Sequence, residues 1–63
     1  MPIVKISMME GRTKQQIEKL IELVAQAVMD SIGSPEENIR ILVNEIPKKN
    51  WGLGKTTADK AGR

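Results

Sequence analysis

The sequence contains no cysteine, no histidine and no tyrosine, and its only aromatic residue is Trp51. Without cysteine the chain forms no disulfide, and without cysteine or histidine a structural zinc site is close to excluded. The groups left for proton transfer are carboxylates, lysines and a terminal amine. Histidine, cysteine and tyrosine are therefore unavailable for catalysis, and the terminal amine becomes a candidate beside the carboxylates and lysines.

The sequence also lacks a long apolar run. No stretch approaches the roughly 18 to 20 residues of a membrane span, and no charged segment followed by an apolar one marks a secretory signal. We therefore expect a soluble, cytoplasmic protein without a membrane partner.

The net charge is small, with a formal value of +2, but the charged residues are unevenly placed. Residues 1–47 carry five basic and seven acidic groups, whereas residues 48–63 carry five basic groups and one acidic group. The basic groups of the tail are spaced out beside a single aromatic residue. This pattern favours a solvated end or an anion-attracting rim over a nucleic-acid partner.

Length limits the chain to one domain over residues 1–63. A single core of this size supplies only about 3 to 5 kcal/mol, and neither a disulfide nor zinc is available. Oligomerisation is the remaining source of stability. Hydrophobic residues make up 40% of the chain, so surplus apolar surface is expected to form subunit interfaces.

Alternating hydrophobicity predicts two strands, over residues 2–9 and 39–46. In the first, Val4 and Ile6 share one side, and in the second apolar residues occupy both faces, so both faces should be covered. A helix between them gives a β-α-β unit with parallel strands and a right-handed crossover. Two strands do not make an independent sheet. Pairing with a second copy would complete it.

Capping residues set the bounds of the helix. Thr13 and Gln16 have the spacing of a capping box, whereas Gly33 followed by Pro35 is typical of a helix end. The helix is therefore predicted over about residues 13–32. Its wide apolar stripe is expected to pack on the sheet, with its margins reaching a second subunit.

Shorter signals fill the remaining segments. Residues 34–37 predict one helical turn capped by Ser34. Residues 50–56 predict a short hairpin carrying Trp51; this segment lacks the upstream glycine of a phosphate-binding loop. Residues 58–63 should be loose or docked on a neighbour. The expected fold class is α+β (α/β), a single β-α-β unit with a C-terminal hairpin, completed by oligomerisation.

The amino terminus is the most distinctive candidate for chemistry. Removal of Met1, which a small second residue such as proline generally permits, would leave Pro2 as a titratable secondary amine. Within a chain Pro2 is an amide that simply suits the start of a strand. The alternative bases, Glu10 and Glu45, are better explained as surface pairs or caps.

Two arginines lie outside the tail, and both stand at the boundaries of predicted elements. The planar guanidinium groups of Arg12 and Arg40 suit carboxylate ligands. Each taken singly is also explained by a salt bridge. Together with Pro2 and a tryptophan in a glycine-containing loop, they favour an anion-binding site.

In order along the chain, Pro2, Glu10-Gly11-Arg12, Arg40 and Trp51-Gly52-Leu53-Gly54 resemble the 4-oxalocrotonate tautomerase family. The resemblance covers essentially the whole chain. It implies the fold of the tautomerase superfamily and a homohexamer, arranged as a trimer of dimers, whose sites gather residues from more than one subunit.

The resemblance also implies residue roles. Pro2 would be the general base, and burial beside Trp51 together with nearby arginines would lower the pKa of its amine. Arg40 would polarise the 2-oxo or enol oxygen and the adjacent carboxylate, and Arg12 would hold the distal carboxylate. The implied reaction ketonises a dienol dicarboxylate such as 2-hydroxymuconate, without metal or cofactor.

Three positions bear on the function that the resemblance implies. Lys55 stands where relatives often carry glycine, which affects the turn and the charge at the site mouth. Met9 and Leu53 occupy positions where dehalogenase relatives need an arginine and a water-activating carboxylate, so they argue against dehalogenation and are assigned to the substrate-binding lining.

The alternative function is a non-catalytic oligomeric module that binds acidic ligands through Arg12 and Arg40.

Overall fold

A computed structural model describes all residues of the chain, 1–63. It confirms the predicted β-α-β unit followed by a C-terminal hairpin. The elements in chain order are strand β1 (Ile3–Met9), helix α1 (Lys14–Ile32), a 3-10 turn (Glu36–Asn38), strand β2 (Arg40–Ile46), a second 3-10 turn (Lys48–Asn50) and the hairpin strands β3 (Gly52–Leu53) and β4 (Thr56–Thr57).

Strands β1 and β2 pair in parallel over their whole lengths, beginning with Ile3 opposite Arg40. Backbone hydrogen bonds extend the ladder beyond both ends. The Arg40 N–H donates to the Pro2 carbonyl at 3.1 Å, and the Glu10 N–H donates to the Ile46 carbonyl at 2.9 Å. The parallel pairing confirms the predicted arrangement and fixes which residues share each end of the sheet.

The two faces of this sheet differ in burial. Side chains alternate between the faces, and on one face they are half-buried beside α1, which contacts β2. On the other face, here called the open face, Ile3 and Leu42 remain 58% and 53% exposed. The half-buried face carries Val4, Ile6, Met8, Ile41 and Val43; the open face carries Ile3, Lys5, Ser7, Arg40, Leu42 and Asn44.

The helix begins and ends as its capping residues predict. The Thr13 hydroxyl accepts from the Gln16 N–H at 3.1 Å, while the Gln16 side-chain oxygen accepts from the Thr13 N–H at 2.9 Å. Gly33 adopts a left-handed conformation with φ 69°, and its N–H donates to the Met29 carbonyl at 3.0 Å. Both helix ends thus have partners for otherwise free backbone groups.

The turn after the helix corrects the prediction for Ser34. The Asn38 N–H donates to the Pro35 carbonyl at 3.0 Å and the Ile39 N–H to the Glu36 carbonyl at 3.1 Å, which makes a 3-10 turn without a side-chain cap. Pro35 is extended and immediately precedes this turn, so Ser34 lies one residue too early to cap it.

The C-terminal hairpin closes through Gly54 and Lys55. Gly54 has φ 63°, whereas no non-glycine residue has positive φ. A two-residue loop with glycine at its first central position can satisfy the twist of the paired strands. Lys55 therefore occupies the second turn position in an ordinary conformation, and the hairpin forms although a lysine follows the second glycine.

The last six residues, predicted to be loose or docked on a neighbour, instead fold against their own hairpin. The Ala61 N–H donates to the Thr57 carbonyl at 3.0 Å, and the Arg63 N–H donates to the Ala58 carbonyl at 2.8 Å. The segment is not loose, because these backbone groups find partners within the chain; docking on a neighbour stays a prediction.

The chain buries almost nothing by itself. Ala58 is the only fully buried residue, while Leu23 and Ile32 of the helix remain 55% and 67% exposed. Both faces of β2 were predicted to be covered, but within the chain only the face beside α1 is covered. Apolar surface of this extent is typical of a subunit interface.

No helix combines the length and the apolar character needed to cross a membrane.

Candidate active site

Pro2 lies at the amino end of β1. It is half-buried and continues the alternation that places Val4 and Ile6 on the half-buried face. Its carbonyl accepts the Arg40 N–H, so the backbone that carries the proline is held by β2. If Met1 were removed, the terminal amine would therefore lie on an anchored strand, on the same face as apolar side chains.

Arg40 shares this edge of the sheet but not this face. It pairs with Ile3 on the open face, and its guanidinium Nη1 donates to the carbonyls of Glu37 at 2.8 Å and Ile39 at 3.1 Å. The remaining guanidinium N–H groups have no acceptor within the chain. Because alternation sends Pro2 and Arg40 to opposite faces, the two side chains of one chain do not face a common pocket.

Met9 and Arg12 lie at the opposite end of the sheet. Met9 closes β1 opposite Ile46, and Arg12 follows in the exposed segment before α1. The seven residue steps from Pro2 to Met9 span about 23 Å in an extended strand. The chain therefore does not bring Arg12 to its own Pro2.

Trp51 and Leu53 follow the carboxyl end of β2, and both are half-buried. The Trp51 N–H donates to the Lys48 carbonyl at 3.3 Å, and the Trp51 carbonyl accepts from the Ala58 N–H at 2.8 Å. These bonds fix the backbone of the aromatic residue on both sides. Trp51 and Leu53 thus belong to the same end of the molecule as Met9.

An open recess of about 460 Å³ lies beside this end of the sheet. It is lined by Glu10, Pro47, Lys48, Lys49 and Asp59. None of the residues predicted for the site lines it. Charge counts assign Lys48 and Lys49 to the basic tail but do not reveal that Glu10 and Asp59 lie beside them.

The arginines lack carboxylate partners. The single ion pair of the chain joins Lys19 to Glu22 at 3.4 Å on the exposed surface of α1. The salt bridges that offered an alternative explanation for Arg12 and Arg40 are therefore absent within the chain, and both cations are available to an anionic ligand.

No group of three or more acidic, histidine or cysteine side chains is arranged to hold a metal ion.

These features define a class: a small α/β chain with little core of its own, a proline at position 2 anchored to β2, and arginines without carboxylate partners in the chain. A family model described as "Tautomerase enzyme" matches residues 2–60. The chain belongs to this tautomerase family, and it is an isomerase. The resemblance inferred from the sequence is thereby confirmed.

Individual relatives agree over their full lengths. A 2-hydroxymuconate tautomerase of Pseudomonas putida is 43% identical over 63 residues, covering 100% of both chains. A solved structure of 4-oxalocrotonate tautomerase isozymes from Methylibium petroleiphilum is 44% identical with TM-score 0.90, covering 98% of this chain and 100% of that one. A heterohexamer 4-oxalocrotonate tautomerase from Chloroflexus aurantiacus J-10-fl is 25% identical with TM-score 0.86, covering 95% and 97%.

Proposed function

We propose that the protein ketonises a 2-hydroxydienoate dicarboxylate such as 2-hydroxymuconate to 2-oxo-3-hexenedioate, with Pro2 as general base after removal of Met1. The observation that carries the proposal is the half-buried position of Pro2 at the anchored start of β1, in a chain without histidine, cysteine or tyrosine. The 2-hydroxymuconate tautomerase relative supports the choice of substrate.

The proposed reaction needs only a proton carrier and charge stabilisation. An uncharged Pro2 amine takes the proton from the 2-hydroxyl, the electrons shift along the conjugated chain, and the amine returns a proton to carbon. Substrate and product are isomers, so no atoms or electrons are exchanged with a co-reactant. The reaction requires no metal or cofactor.

Arginines complete the proposed site. Arg40 polarises the 2-oxo or enol oxygen and the adjacent carboxylate, and Arg12 holds the distal carboxylate, since guanidinium groups bind carboxylates in bidentate fashion. Their lack of carboxylate partners within the chain supports these roles. Trp51, Met9 and Leu53 form the apolar lining.

A site of this composition needs more than one subunit. Within one chain, Pro2 and Arg12 lie beyond opposite ends of a strand that spans about 23 Å from Pro2 to Met9, and Arg40 lies on the face opposite Pro2. Exposed Ile3 and Leu42 on the open face offer surface for association. We propose a homohexamer, a trimer of dimers, in which neighbouring subunits supply Pro2, Arg12 and Arg40 to each site.

Replacing the base tests the proposal directly. The Pro2→Ala protein should lose about 100-fold in kcat with 2-hydroxymuconate, at the lower end of the usual range for general bases because a primary amine remains. Steady-state kinetics measured by the loss of dienol absorbance give the result. Unchanged turnover contradicts the proposal, and tight dicarboxylate binding without turnover in the wild type favours the non-catalytic module.

A matched control separates the proline ring from its amine. Inserting a lysine between Met1 and Pro2 keeps the ring but buries its nitrogen in an amide, which has no basicity. This protein should assemble normally, as judged by native mass, and should turn over less substrate than the Pro2→Ala protein. Activity equal to that of the wild type contradicts a role for the terminal amine.

The pH dependence provides a second test. Because the chain has no histidine or cysteine, the terminal amine is the one group whose ordinary pKa falls between pH 6 and about 8. The base must be uncharged, so kcat/KM should rise with pH through a single ionisation and then reach a plateau. A profile that stays flat between about pH 5 and 9 contradicts the assignment of the base.

The arginines should differ in their kinetic effects. Arg12→Ala should mainly raise KM, because the distal carboxylate is bound similarly in substrate and transition state. Arg40→Ala should lower kcat as well, because charge develops on the oxygen that it contacts. Lys14→Ala, which removes an exposed cation of α1, is the matched control and should change neither value. Equal losses in both parameters for both arginine variants contradict the assigned roles.

A further inference from the structure

Ala58 is an exception in this molecule. It is 0% exposed in a chain that fully buries no other residue, and it lies directly after β4 near the carboxyl terminus. The methyl group of Ala58 is thus enclosed by residues of its own chain, without any contact from a partner. The position of Ala58 therefore affects the residues that are hydrogen-bonded to its backbone.

Backbone hydrogen bonds connect Ala58 and its neighbour to the segment that carries Trp51. The Ala58 N–H donates to the Trp51 carbonyl at 2.8 Å, and the next residue, Asp59, donates its N–H to the Lys48 carbonyl at 3.4 Å. Lys48 in turn accepts the Trp51 N–H. The two bonds from Ala58 and Asp59 thus hold both ends of the 3-10 turn that leads into Trp51.

Residues 57–63, here called the C-terminal clasp, are closed by their own hydrogen bonds. The Arg63 N–H donates to the Ala58 carbonyl at 2.8 Å, and the Lys60 N–H donates to the Thr57 hydroxyl at 3.3 Å. Ala58 consequently has both backbone groups bonded and its side chain enclosed. The Ala58 N–H is therefore the direct link between the clasp and the Trp51 carbonyl.

We propose that Ala58 is a positioning residue, which sets the location of Trp51 in the active site through the C-terminal clasp. The proposal rests on the proposed function in one respect, namely that Trp51 lines the substrate site. A side chain larger than methyl at position 58 has no free volume and displaces the clasp. Trp51 then loses its fixed backbone and its ring moves relative to the substrate.

A pair of valine variants tests this proposal. Ala58→Val should increase the quenching of Trp51 fluorescence by acrylamide and lower kcat/KM about tenfold, since small displacements of site groups can cost up to about 100-fold. Ala61→Val is the matched control because Ala61 belongs to the same clasp but is exposed. It should leave both measurements unchanged. Equal effects of the two variants overturn the proposal.

A double-mutant cycle distinguishes positioning from a general loss of structure. If Ala58 acts through Trp51, adding Ala58→Val to a Trp51→Ala protein should cause no further fall in kcat/KM, because the group it positions is already gone. A merely structural role predicts that the two losses multiply. Multiplying losses would therefore overturn the proposal.

The readouts also separate this inference from the proposed function. Absence of 2-hydroxymuconate turnover in the wild type contradicts the proposed function, whereas Trp51 quenching still reports whether Ala58 positions the ring. Should Ala58→Val fail to reach the wild-type native mass, Ala58→Ser serves instead, since it adds a single atom to the enclosed methyl group and still exceeds the available volume. Wild-type quenching and kcat/KM in the assembled variant overturn the inference.

Discussion

Parallel pairing of two strands under a single helix is the constraint on which the rest of this structure depends. The helix covers one face of the sheet, and the open face keeps Ile3 and Leu42 more than half exposed. No disulfide or metal ligand compensates, because the sequence has neither cysteine nor histidine. A chain built in this way needs contacts from other copies to bury its apolar surface.

The same pairing separates the residues to which we assign chemistry. Parallel strands place Pro2 and Arg40 at one end of the sheet, alternation sends them to opposite faces, and Arg12 is left at the other end. In the assembly that we propose, contacts that cover the apolar faces also bring complementary ends of different chains together, so assembly and activity have one origin. Trp51 reaches its place differently, through hydrogen bonds within its own chain.

Local signals explain why most of the fold could be predicted from the sequence. The Thr13 capping box, Gly33 and the strand periodicity act over a few residues, and each has the predicted geometry. Ser34 and the C-terminal clasp could not be predicted, since one depends on the exact start of a short turn and the other on bonds within residues 48–63 that no capping residue or periodicity marks. The candidate site was predicted as a set of residue types, but single-chain periodicity cannot show which chains supply them.

Subunit complementation tests most directly whether each site is shared between chains. Pro2→Ala and Arg12→Ala proteins are unfolded, mixed in equal amounts and refolded together, with native mass confirming mixed oligomers. A shared site predicts recovery of kcat/KM to about one quarter of the wild-type value, the random chance that one chain supplies an intact Pro2 and its neighbour an intact Arg12. A kcat/KM no greater than the mean of the two separately refolded variants would contradict the shared site.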